Sequence, residues 1–109
     1  MKPNKLPSDR EAMILAILIG RERYGREIRN EYETRTGNKL PLGSLYTTLL
    51  RMEEQKGYVK SREGESIPGR QGNRRRYYLI KASGTRALRD WELFRDAVRG
   101  AARSDVVPG

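Results

Sequence analysis

The sequence contains no cysteine and no histidine. The first absence excludes disulfides, thiolate metal sites and a cysteine nucleophile. The second removes the commonest general base, metal ligand and near-neutral pH switch. The acidic residues are scattered along helical stretches, and no pair of them is placed for acid/base work. The chain is therefore read as non-enzymatic, with no cofactor and no metal. Long apolar runs are also missing. The longest, residues 12–19, is too short to span a bilayer and is closely flanked by charge. Nothing resembles a signal peptide, so the expected location is cytoplasmic.

What is present is positive charge. Lysine and arginine number 23 against 14 aspartate and glutamate, a formal net charge of +9 in 109 residues. Such a surface attracts nucleic acid, anionic lipid or acidic protein. The length fits one domain with a modest core, and dimerisation would bury more apolar surface.

Residues 1–7 read as a flexible N-terminal arm. Ser8-Asp9-Arg10-Glu11 has the form of a capping box and opens a first helix. The apolar residues that follow place this helix centrally, and Gly20 stops it. Tyr24-Gly25 opens a second helix reaching Thr36, with Ile28, Tyr32 and Ile19 expected to point inward. Gly37-Asn38 terminates it. After Lys39-Leu40-Pro41, a third helix runs from about Leu42 to Lys56. Leu42, Leu45, Leu49 and Met52 make its apolar stripe, and Ser44, Thr47, Thr48, Arg51 and Gln55 lie off it.

Residues 58–62 and 74–80 read as two strands joined by a glycine-containing loop over 64–73, a hairpin with a basic tip. A last helix begins at Ala82 or Ser83 and carries Ala87, Leu88, Trp91, Phe94 and Val98 on one face. Gly100 is expected to end it, and residues 101–109 to form a flexible tail. The fold class is mainly α with a small β-hairpin. Helix, helix, helix, hairpin, helix makes a winged helix-turn-helix over residues 8–81, followed by a C-terminal dimerisation helix over 82–100.

Two stretches carry a more specific signal. Gly43-Ser44-Leu45-Tyr46 is followed, some thirty residues later, by Arg75-Arg76-Tyr77-Tyr78. With Tyr24-Gly25-Arg26-Glu27-Ile28 and Lys56-Gly57-Tyr58-Val59, they resemble the PadR family of bacterial transcriptional regulators over residues 12–98. The resemblance implies a homodimeric winged helix whose third helix enters the major groove. Its last helix would pack on the partner subunit. It also implies, for many members, repression relieved by a small hydrophobic or phenolic effector. The sequence departs from the family pattern at Gln71-Gly72-Asn73, where a Gly-Arg-Pro-like segment is usual. It departs again at Lys81, where threonine commonly caps the last helix; Ser83 is the alternative cap.

Candidate DNA-contacting residues are Tyr24, Lys39, Ser44, Tyr46, Thr47, Thr48, Arg51, Arg70, Asn73, Arg74, Arg75 and Arg76. Hydroxyls can bond phosphates or bases, and arginine can reach guanine or phosphate. On an isolated helix the same residues would be an ordinary solvated face; their place between a helix-turn and a basic wing favours contact. The tyrosines could equally pack in the core with a half-exposed hydroxyl. Strand alternation sends Arg74 and Arg76 to one face and Arg75 to the other. Tyr77 and Tyr78 must also point oppositely.

Leu88, Trp91, Phe94 and Val98 are the candidate dimer seam, or else they pack on the first helix of the same chain. Trp91 could border a pocket for a flat hydrophobic effector. The expected activity is sequence-specific binding of double-stranded DNA at an inverted repeat, by a repressor acting as a homodimer. The rival reading is a winged-helix module that binds protein and no DNA.

Overall fold

The computed structural model describes residues 5–69 and 72–104. The elements are α1 (Asp9–Leu18), β1 (Arg23–Tyr24), α2 (Gly25–Thr36), α3 (Leu42–Glu54), β2 (Val59–Ser66), β3 (Arg74–Ile80) and α4 (Ala82–Ser104). The sheet is antiparallel, in the order β1-β3-β2. Strand β1 was not expected. A two-residue strand carries no periodic signal, and its backbone pairs with a segment more than fifty residues away (Arg23↔Tyr78, Tyr24↔Tyr77).

The capping box forms as expected: the Glu11 amide donates to Ser8 Oγ at 3.1 Å, and the Ser8 amide to Glu11 Oε1 at 2.9 Å. Helix α1 is central. Ile14, Leu15, Ile17 and Leu18 are fully buried with Ile28, Leu45, Leu49, Met52 and Val59. Burying such side chains is the main driving force for a chain this small, about 1.5–3 kcal/mol each. Leu40, in the connection between α2 and α3, is 0% exposed. It plugs the turn between the two helices, and its amide donates to Glu33 Oε2 at 2.7 Å.

Several expectations need correction. Ile19 is 48% exposed and gives α2 no inward contact, because the chain turns extended there and Gly20 takes φ +90°. Helix α3 ends at Glu54, two residues early, and β2 runs on to Ser66, through the first three residues of the expected loop. Ser83 does not cap α4. Its hydroxyl donates to the Gly57 carbonyl, and the Lys81 carbonyl accepts the Thr85 amide at 3.0 Å. Gly100 does not end α4, which continues to Ser104. A glycine inside a helix costs only about 1 kcal/mol, less than the flanking alanines and arginines can carry. Of the expected arm, residues 5–7 are described; Pro7 is buried, and Leu6 and Pro7 line a cleft beside Trp91. The last five residues of the expected tail lie outside the described residues.

Candidate nucleic-acid interface

Helices α2 and α3 are joined by residues 37–41. Gly37 adopts the left-handed conformation at φ +72° and lets the chain reverse at the end of α2. Helix α3 then exposes one face. Ser44, Thr47, Arg51 and Tyr46 are on it, with Lys39 exposed just before the helix. Thr47 spends its proton on the Gly43 carbonyl at 3.0 Å, which leaves its oxygen as an acceptor for an outside donor. Thr48 does not join this face. It is 5% exposed, and its hydroxyl is turned onto the Ser44 carbonyl at 2.9 Å. Its position borders the apolar stripe, one residue from Leu49, and the packing takes it inward.

Sequence reasoning missed Leu50, which is 55% exposed on the same helix. An apolar residue off the stripe was the available signal. It also missed Arg26, exposed in the first turn of α2. Arg26 lines a cleft of about 580 Å³ with Tyr24, Gly25, Tyr46, Ile67, Tyr78 and the three consecutive wing arginines. Gly25 lets the Tyr46 ring lie close: a Cβ there would meet the end of that exposed side chain and push it aside.

The wing arginines divide as strand alternation requires. Arg74 and Arg76 share a face with Tyr78, which is buried in the core. Arg75 and Tyr77 occupy the other face, where a network of partners holds them. The Arg75 guanidinium lies 4.6 Å from the Tyr24 ring centre and 3.5 Å from Glu65 Oε1. Tyr24 meets Tyr77 edge-on at 5.7 Å, and Arg62 covers Tyr77 at 4.7 Å. Arg62 in turn pairs with Glu22, and the Tyr77 hydroxyl donates to Glu65. Gly64 leaves room for the Tyr77 ring.

Hydrogen bonding to Arg62 holds the Glu22 carboxyl below its ordinary range. Donation from Tyr77 does the same for Glu65, and it raises the phenol in return. These groups therefore keep their charge states across neutral pH. Burial raises the Tyr78 and Tyr58 phenols as well.

Arg75 is thus engaged within the chain, whereas the guanidinium groups of Arg26, Arg51 and Arg74 have no ion-pair or hydrogen-bond partner among the described residues. Asn73 is exposed, and its backbone carbonyl accepts the Ile67 amide at 2.9 Å, closing the wing. Arg70 lies outside the described residues. No group of acidic residues among those described could hold a metal ion. None of the described helices is long and apolar enough to cross a membrane.

On α4, Leu88 is 7% exposed and belongs to the chain's own core. It is therefore spent before any partner arrives. Phe94 and Val98 are 54% and 52% exposed, with Leu93 beside them at 60%. Trp91 is half-buried; its indole N–H donates to Asp9 Oδ1 at 3.2 Å, and Arg95 lies over its ring.

Three helices, a three-stranded sheet with its β2–β3 wing, and a basic cleft between wing and third helix define a winged helix-turn-helix. The sequence matches the transcriptional regulator PadR-like family over residues 14–90, and the chain belongs to that family. It is similar to a transcriptional regulator from Clostridium thermocellum at 26% identity and a TM-score of 0.72, over 89% of this chain and 92% of that one. A PadR family transcription regulator from Clostridium difficile is 26% identical with a TM-score of 0.69, over 86% and 94% of the two chains. The fold is also that of Bacillus subtilis PadR in complex with operator DNA, at 20% identity and a TM-score of 0.66, over 76% of this chain and 46% of that one. Among curated proteins no relative matches the sequence.

Proposed function

We propose that the protein is a homodimeric repressor that binds an inverted-repeat operator in double-stranded DNA. The observation that carries this reading is the cluster of unpartnered cations around one cleft. Arg26 and Arg74 line it, Arg51 stands on the adjacent exposed face of α3, and Tyr46 closes it. Cations held beside an outward helix are what a phosphate backbone and a base-reading helix need. The complex of Bacillus subtilis PadR with operator DNA supports the choice of partner.

In this account α3 enters the major groove, Ser44, Thr47 and Arg51 meet base edges or phosphates, and Arg74 meets the flanking strand. The exposed Leu93, Phe94 and Val98 on α4 meet the same helix of a second copy. A cleft of about 440 Å³ beside Trp91, lined also by Phe94, Arg95 and Val98, suits a small hydrophobic or aromatic effector. Such an effector acts by binding dimer shapes with different affinity. The protein works in the cytoplasm, where its DNA is.

Titration of duplex DNA at several salt concentrations tests the reading. Arg74→Ala is expected to weaken binding and to reduce the slope of log affinity against log salt by about two, one for each subunit of the dimer. Arg75→Ala is expected to leave that slope unchanged, because its guanidinium is already engaged by Tyr24 and Glu65. A wild-type slope near zero, or equal slope losses for the two variants, contradicts the assignment.

A further inference from the structure

Glu53 lies in the last turn of α3 and belongs neither to its exposed face nor to the core. Both of its carboxylate oxygens reach across to β2. The Ser61 amide donates to Oε2 at 2.9 Å, and the Ser61 hydroxyl lies 2.9 Å from Oε1 and 2.8 Å from Oε2. A hydroxyl has one proton to give and two lone pairs with which to accept. The Ser61 proton is spent on Glu53, and its oxygen accepts from Arg76 Nη1 at 3.0 Å. A continuous path therefore runs from the third helix through β2 to an arginine of β3.

Arg76 lines the cleft, and it is the wing arginine there that is tethered back to α3. Its other contact, Nη2 to Glu63 Oε1, is 3.8 Å long and exposed, and so contributes little. An arginine left without a fixed acceptor samples many rotamers, and ordering it on binding costs free energy. Glu53 prepays that cost. It also joins α3 to the stem of the wing, so the two surfaces keep one spacing.

We infer that Glu53 is a positioning residue: through Ser61 it holds the Arg76 guanidinium at the wall of the cleft between α3 and the wing. This rests on the proposal that the cleft receives DNA. The nearest precedent in general chemistry is the outer partner that orients a ligating side chain without touching the ligand.

The test uses the full chain and a duplex recovered by the wild-type protein from random-sequence DNA, at fixed salt, with thermal unfolding measured alongside. Ser61→Ala and Glu53→Gln are each expected to weaken binding by about threefold to tenfold, as for loss of one or two oriented hydrogen bonds. Ser61→Thr, which keeps the hydroxyl, is expected to restore wild-type affinity. The deciding arm is a double-mutant cycle. In an Arg76→Ala background, Ser61→Ala is expected to have no further effect on affinity. A role confined to folding would lower affinity by the same factor with or without Arg76. That result, or wild-type affinity in Ser61→Ala, overturns the inference while DNA binding stands. Failure of the wild-type protein to bind duplex DNA at any salt overturns both.

Discussion

Gly84→Ala is expected to cost about 2–3 kcal/mol of stability, although alanine is the better helix former. Gly84 sits in the first turns of α4, where propensity alone would favour alanine by about 1 kcal/mol. Packing decides against it. A Cβ at this position would run into the Tyr58 carbonyl oxygen, and would lie 2.9 Å from Ile80 Cγ1 and 3.1 Å from Leu15 Cδ2. The two side chains can yield; the carbonyl cannot, because it accepts the Lys81 amide at 2.9 Å. Ser83 is tied to the Gly57 carbonyl in the same corner. Overpacking a tight contact costs typically 1–3 kcal/mol and more when backbone must move. Thermal unfolding should show a midpoint lower by roughly 10–20 °C. Gly43→Ala, where a Cβ meets nothing within 4 Å, should leave the midpoint level or slightly raised. A Gly84→Ala midpoint at or above wild type contradicts the packing described.

The second large effect concerns assembly. Replacing Phe94 and Val98 together by aspartate is expected to give a folded monomer. Both side chains are more than half exposed in the single chain, so their loss leaves the monomer's core intact. In the proposed dimer the same positions are the apolar centre, where buried carboxylates without partners are costly. Operator affinity should fall by about a hundredfold or more. Two linked half-site contacts become independent, and the effective concentration supplied by the linkage is lost. Sedimentation and helical circular dichroism check the two halves of the expectation. A variant that stays dimeric at micromolar concentration contradicts the assignment of this face.

Much of the fold is legible in the sequence because its signals are local. The Ser8–Glu11 box, the unbroken apolar run of α1, the 3.6-residue stripe of α3, Gly37 after α2 and the alternation across residues 74–80 each act within one element. What is illegible depends on distant partners. Strand β1 exists only because β3 passes beside it. Ile19 reads as core and is exposed, because the chain turns extended there, while Leu40 reads as linker and is buried between elements distant in sequence. Gly100 reads as a stop and sits within α4.

The candidate interface divides along the same line. Exposed Ser44, Tyr46, Thr47 and Arg51 follow from helical spacing. The inward turn of Thr48 and the capture of Arg75 by Tyr24 and Glu65 do not, because these depend on packing and on side chains from other elements. Leu88 shows the same limit on α4: periodicity puts it in line with Phe94 and Val98, and only the docking of α4 on α1 and β3 reveals that it is already buried.

The central claim is that two copies of this chain read one stretch of DNA symmetrically. Selection of bound duplexes from a random-sequence pool at physiological salt tests it most directly. The account predicts an enriched inverted repeat whose half-site centres lie about 10 base pairs apart, or a multiple of that. Recovery of no common sequence, or of a single unrepeated site, would contradict it.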